Sequence, residues 1–302
     1  MVNYFFKYSL LLIFFILFLY SCSHTSTNPQ QNKLDLKATK NPVITVTIPS
    51  GSFNMGNTGS YSGFDDEKPI HKVNFMRTLN FGIFEITQTQ WKEIMGSNPS
   101  RFIGDSLPVE NVSFRDAINF CNKLSVINGL QNCYKISDSI VYCDWGANGW
   151  RIPSEAEWEY ACKAGSNTDF YNGILTHPSF SPLDENLDKI AWYSGNAAYG
   201  LDTGNYYEGT RPVGLKQANQ FGLYDMIGNV LEWVWDEYMP YKFGDIYDNP
   251  TTLTNINAPR TPRGGCWDGN ADVCRSSNRQ LSSGCGNGLC YVSFGLRIVR
   301  KE

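Results

Sequence analysis

The stretch Phe221–Asp236, FGLYDMIGNVLEWVWD, constrains this chain more than any other, because it joins a glycine turn, a lone Glu set among large apolar residues, and two tryptophans. Gly228-Asn229 can take positive φ, which turns consecutive carbonyls the same way. Glu232 lies just beyond, shielded by Leu231 and Trp233. Carbonyls plus one carboxylate form a hard-oxygen set of the kind calcium prefers. The same residues also suit a type I′ hairpin whose Glu pairs with an Arg inside the fold. The sequence alone leaves both readings open.

Ahead of this stretch the chain changes character twice. Met1–Cys22 carries an early Lys7, an apolar run from Leu10 to Leu19 that is short for a membrane span, and Leu19-Tyr20-Ser21-Cys22. This reads as a lipoprotein signal peptide over residues 1–21, cut before an acylated Cys22, which places the remainder outside the cytoplasm. A plain secretory signal is the alternative. Residues 22–42 then read as the lipidated Cys and a polar, flexible tether, and residues 43–302 as one domain long enough for a sizeable core. The net charge of −4, with no basic cluster, argues against a nucleic-acid partner.

Within the domain three helices are predicted. One runs from Thr87, its N-cap, to Met95, closed by Gly96. A second starts at Ser113, where Phe114, Ala117, Ile118, Cys121 and Leu124 fall at helical spacing. A third starts at the capping box Ser154-x-x-Glu157, with Gly165 at its end. The rest is rich in Gly, Asn and Ser with short apolar runs, which predicts an α+β domain with much irregular chain, and irregular chain needs staples. Nine cysteines less Cys22 leave eight for an oxidising compartment. Two pairs are local, Cys133–Cys143 and Cys285–Cys290.

Several blocks resemble the formylglycine-generating enzyme (sulfatase-modifying factor) family. They are Ile48-Pro49-x-Gly51-x-Phe53-x-Met55-Gly56, Glu85-Ile86-Thr87, Arg151-Ile152-Pro153-Ser154-Glu155-Ala156-Glu157-Trp158, Gly228-Asn229-Val230-x-Glu232-Trp233, Arg263-Gly264-Gly265 and Gly295-Leu296-Arg297. The resemblance runs from about Val43 to the end. It implies a C-type-lectin-like fold with few helices and short strands. It also implies a calcium ion held by the carbonyls of Gly228 and Val230, the Asn229 side chain and Glu232, and a disulfide from Cys162 to the segment around Cys274. Cys121 lies where the family often has a bonded Cys, but Ile298 stands at the usual partner position.

Function turns on the segment after Arg263-Gly264-Gly265. In what the resemblance implies, the oxidases of this family carry two cysteines there, separated by four residues, whose thiolates suit copper(I). Here Cys266 stands at the family's Ser position, the first copper cysteine falls on Gly269, and the second on Cys274. Trp233 matches an aromatic position near the oxidase site. Of the three His, His24 lies in the tether and His177 in a loop, so no iron triad is offered, and His71 reads as structural. Asp184-Glu185-x-x-Asp188 reads as an exposed acidic loop. Two readings follow. One is an envelope-anchored binding or scaffold lipoprotein, with a protein, peptide or glycan partner left open. The other is an oxidase acting on a cysteine of an exported sulfatase-type substrate, with Cys274, Cys266 and Trp233 at its site.

Overall fold

The computed structural model describes residues 39–197, 209–242, 244, 246–247, 250–282 and 293–302. Strand β1 (Thr45–Ile48) enters a sheet ordered β1-β4-β12-β7, in which β4 (Leu79–Gly82) and the C-terminal β12 (Val299–Lys301) are central. Its fourth strand, β7, is Trp150–Arg151. All pairings are antiparallel, and Val299 sits opposite both Phe81 and Arg151. The C-terminal strand is therefore an interior member of the sheet, and β1 and β12 flank β4 on its two sides. A second sheet joins β2 (Gly51–Met55), β3 (His71–Phe75) and the two-residue β9 (Ile246–Tyr247); a third joins β5 (Tyr134–Ser137), β6 (Ile140–Cys143) and β10 (Leu253–Asn255).

The three predicted helices form where their caps stand. In α1 (Gln88–Met95) Thr87 closes a capping box with Gln90, and Gly96 ends the helix in the left-handed region. In α2 (Phe114–Ile127) Ser113 caps with Asp116, and the apolar face buries Phe114, Ala117, Ile118, Cys121 and Leu124. In α3 (Glu155–Lys163) Ser154 caps with Glu157. Ala164 is its C-cap in the left-handed region, and Gly165 follows as the expected C′ residue at φ 91°.

A fourth helix, α4 (Glu185–Ile190), replaces the acidic loop expected around Asp184. Asp184 is its N-cap, fully buried, with one oxygen on the N–H groups of Asn186 and Leu187 and the other on those of Thr176 and His177. Four of its five donors are backbone N–H groups, which leave no side-chain pattern in the sequence; the fifth is the Thr176 hydroxyl at 2.8 Å. Among the described residues no helix is long and apolar enough to cross a membrane.

Two large apolar cores result, beside a small one of Met55, Val73 and Phe75. One gathers α1, α2, Trp233 and Trp235; the other gathers α3 with Trp158, Phe170, Leu187, Tyr193 and Met226. Around α3 the chain is tied by buried ion pairs: Arg151–Glu157 at 2.6 Å, Lys163–Glu159 at 2.8 Å, Arg279–Glu155 at 2.7 Å and Arg263 on Glu159. Arg275 adds a pair with Glu67 at 2.5 Å.

The expected disulfides are not the staples here. Cys133, Cys143, Cys162 and Cys274 are buried free thiols, as are Cys121 and Cys266. Register explains the first pair: Cys143 stands opposite Tyr134, and the Cys133 thiol turns to the Gly149 carbonyl at 3.3 Å. Cys162 faces the Met226 carbonyl, while Cys274 packs its sulfur beneath Gly265. Cys22 and the pair Cys285–Cys290 lie outside the described residues.

Candidate functional site

The glycine turn, the Arg-Gly-Gly segment and the Gly-Leu-Arg segment meet at β8 (Leu231–Glu232). This strand pairs in parallel with β11 (Phe294–Gly295) on one side. On the other, Glu232 and Arg263 exchange backbone bonds of 2.9 and 3.0 Å. Gly228 and Asn229 have φ of 79° and 59°, as the turn requires. A Cβ on Gly228 would lie 2.3 Å from the Trp192 carbonyl, so only glycine fits there.

Glu232 is the acid of an ion pair. Arg297 reaches it through Nε at 3.0 Å and Nη2 at 2.8 Å, and the Trp158 indole donates to Oε2 at 2.7 Å. Burial works against the Arg297 charge, but Glu232, Glu85 and Asp225 outweigh it and hold the guanidinium protonated. Asn229 is also engaged: its Oδ1 accepts the Arg211 N–H at 2.9 Å, and its Nδ2 donates to Glu85 at 2.7 Å. The predicted calcium set therefore does not fit as a whole, since Asn229 and Glu232 already spend their oxygens on protein donors. Among the described residues no three His, Cys, Asp or Glu side chains form a group able to hold a metal.

The unpartnered oxygen is on Asp225. Its Oδ2 accepts the Gly214 N–H at 2.6 Å, while Oδ1 is buried with no hydrogen bond. Burial, followed in smaller part by the Glu232 charge, pushes Asp225 up to about 6, and Glu85 is raised well above the usual carboxylate range by burial and then by Asp225 and Glu232. Sequence reasoning passed over both acids. Asp225 lies within Phe221–Asp236, and its signal is a charged residue inside an apolar run.

The loop after Arg263-Gly264-Gly265 lies next to this core. Gly228 N–H donates to the Gly264 carbonyl at 2.8 Å, and Trp267 N–H to the Asn229 carbonyl at 3.0 Å. The Cys266 thiol donates to Asp268 Oδ1 at 3.0 Å, and Ser293 Oγ approaches the same oxygen at 3.2 Å. Burial and then the Asp268 carboxylate raise the Cys266 thiol well above its ordinary value. Burial likewise pushes Cys274 up to about 12, although the Cys266 N–H opposes this. Both sulfurs are thus neutral thiols at neutral pH. Gly269 is closely packed, since a Cβ there would lie 3.0 Å from Val273 Cγ2. Trp233 is a core residue, 1% exposed, with its indole on the Val112 carbonyl at 2.8 Å and its ring against Phe114 and Phe294. Trp267 instead packs edge-on to Phe102, at 5.2 Å between centroids.

Comparison with known proteins places this geometry. Residues 30–302 match the sulfatase-modifying factor enzyme 1-like domain, and the chain belongs to that family. It is 35% identical to the chaperone protein LppX of Paenibacillus barcinonensis, over 85% of this chain and 89% of that protein. It is 27% identical to the formylglycine-generating enzyme of Mycobacterium tuberculosis, over 65% of this chain and 75% of that protein. It is 25% identical to the inactive C-alpha-formylglycine-generating enzyme 2 of Bos taurus, over 80% of this chain and 82% of that protein. Among solved structures, Treponema denticola variable protein 1 superposes with a TM-score of 0.70 at 28% identity, covering 85% of this chain and 95% of that one.

The raised Asp225 sets a pH dependence. Its folded value of about 6 exceeds the ordinary aspartate value of about 4, so its stabilising contribution is full below about pH 4 and is lost as pH rises through about 6. Asp225→Asn, compared with wild type in chelator, should therefore gain relative stability between about pH 5 and pH 8, by about 1.4 kcal/mol. Urea unfolding at each pH measures it, and a difference that stays flat across that range contradicts the assignment.

Proposed function

We propose that this protein is a non-catalytic binding or scaffold member of the family, anchored to a cell envelope through lipid on Cys22. The observation that carries this reading is the state of Cys274, which stands at the second copper position, and of its neighbour Cys266. A copper(I) site needs thiolates, and metal affinity falls when ligands must first lose protons against a raised pKa. Cys266 is buried beside the Asp268 carboxylate, and Cys274 is pushed up to about 12. Gly269 offers no ligand where the resemblance puts the first cysteine. Relatives named as a chaperone and as an inactive formylglycine-generating enzyme support the same reading.

The test is the full-length chain incubated with copper(I), reductant and oxygen on a cysteine peptide of sulfatase type. We expect no aldehyde product and copper binding no tighter than that of a Cys266→Ser, Cys274→Ser variant. Aldehyde formation with turnover, lost in that variant, would make the protein an oxidase.

The anchor is tested separately. Cys22→Ser should leave an uncleaved or soluble form in place of a lipid-labelled membrane protein, and unchanged fractionation and size would reject lipidation at Cys22.

Calcium at the glycine turn is a further part of the proposal. The set that the resemblance implies, Gly228, Asn229, Val230 and Glu232, has its side-chain oxygens engaged, and the buried oxygen that lacks a donor in this stretch is on Asp225. A ligand that binds only the folded state stabilises it by RT ln(1 + [L]/Kd). Calcium should raise the melting temperature of wild type over a chelator control and leave Asp225→Asn unmoved. Indifference of wild type to both calcium and chelator would remove the ion from the account.

A further inference from the structure

The chain enters the domain at a fastened point. The backbone N–H groups of Lys40 and Asn41 and the Asn41 side-chain amide donate to the exposed Glu93 of α1 at 2.6, 3.1 and 3.0 Å, and Gln90 donates to the Pro42 carbonyl at 3.2 Å. The exit of the tether is thus set by α1. Seventeen residues separate Cys22 from Lys40. A flexible coil of that length has an r.m.s. span of about 25 Å, against a diameter of about 45 Å for a domain of this size. An anchor at Cys22 would therefore keep the entry face near the bilayer and the opposite face away from it.

That face is apolar where solvent meets it. Ile44, four residues from Lys40, is 59% exposed, and Leu215 is 62% exposed. Ile44 stands opposite Ile83, one step beyond the Thr45–Gly82 pair of β1 and β4, and its carbonyl accepts the Ile83 N–H at 2.9 Å, so the two side chains share a side. Tyr224 N–H donates to the Ile83 carbonyl at 3.0 Å, and the Tyr224 ring meets Phe84 at 5.2 Å between centroids. Gly214, beside Leu215, packs its backbone on the same Phe84 ring, since a Cβ there would lie 2.5 Å from Cε1. These contacts link Ile44, Ile83, Phe84, Tyr224 and Leu215 into one strip. The acids that flank it in sequence, Glu85 and Asp225, are turned inward and 1% exposed, so neither would meet lipid.

We propose that this strip is the face on which the domain docks to the lipid bilayer, with Ile44 and Leu215 set into the interfacial layer; the proposal rests on the reading of Cys22 as lipidated. The strip makes the contact by burying apolar side chains, so it takes zwitterionic lipid and holds in salt that screens ionic attraction. The anchor supplies the affinity, and the strip supplies the orientation.

The test is photolabelling of the full-length chain on phosphatidylcholine vesicles whose acyl chains carry a diazirine near the glycerol, with labelled residues read by mass spectrometry. Ile44 and Leu215 should be labelled at least about tenfold more than Met76, at low salt and at about 1 M. Met76 is the internal control, because it is 77% exposed but lies beyond the opposite end of β4 from Ile83. Flotation with the vesicles reports the anchor separately. Leu215→Glu changes an exposed side chain, so it should keep flotation and melting temperature while lowering the labelling of Ile44 about fivefold. A protein that does not float overturns the anchor and the docking face together. One that floats with Met76 labelled as strongly as Ile44, or with Ile44 labelled equally in Leu215→Glu and wild type, overturns the docking face alone.

Discussion

The contact on which the fold depends is the buried pair of Arg263 with Glu159, both without solvent exposure. Arg263 also reaches Glu155 and the carbonyls of Ser276 and Ser277, and its backbone pairs with Glu232. One guanidinium thereby sets the loop of Cys266 and Cys274 against α3 and against the strand that carries Glu232. Such a pair gains little net stability over an apolar replacement, because desolvation offsets the attraction, but loss of one partner costs about 3–5 kcal/mol. Arg151–Glu157, Arg275–Glu67 and Arg297–Glu232 repeat the device. In a chain with strands of two to five residues, these ion pairs supply the cross-links that regular ladders do not.

This explains what was legible in the sequence. Thr87, Ser113 and Ser154 announced three helices because a cap and its box are local chemistry. The Gly228-Asn229 turn and the alternative of a Glu232–Arg pair were also local, or one step from it, and both are found. The family resemblance was readable because its motifs converge on the glutamate strand. Hidden were pairings whose partners lie far apart: Glu67 with Arg275 spans 208 positions, and Glu85 reaches Asn229 across 144. The cysteine count suggested disulfides to staple irregular chain, whereas the described thiols are free and arginines fill that role. Asp184 looks like a solvated acid in the sequence, since four of its donors are backbone N–H groups, which no residue pattern displays, and the fifth is the Thr176 hydroxyl.

The same arrangement bears on function. A scaffold that fixes the Cys266 loop through buried charge leaves its sulfurs in a closed, anionic setting, with Asp268 against one and burial raising the other. Such surroundings suit a structural thiol, and they oppose the thiolate that copper chemistry requires. Trp233, tied into the core by its indole, contributes packing there. A family whose members include enzymes and an inactive relative can thus keep its glutamate strand and its arginines while the cysteine site changes.

The most direct measurement is the pH profile of alkylation at Cys266 and Cys274 in the folded full-length chain, read site by site by mass spectrometry. The account predicts that neither sulfur reacts measurably at about pH 7 to 9 until the protein is unfolded, as expected of buried neutral thiols. Rapid labelling of either cysteine in the native state, with a midpoint below about pH 8, would contradict it.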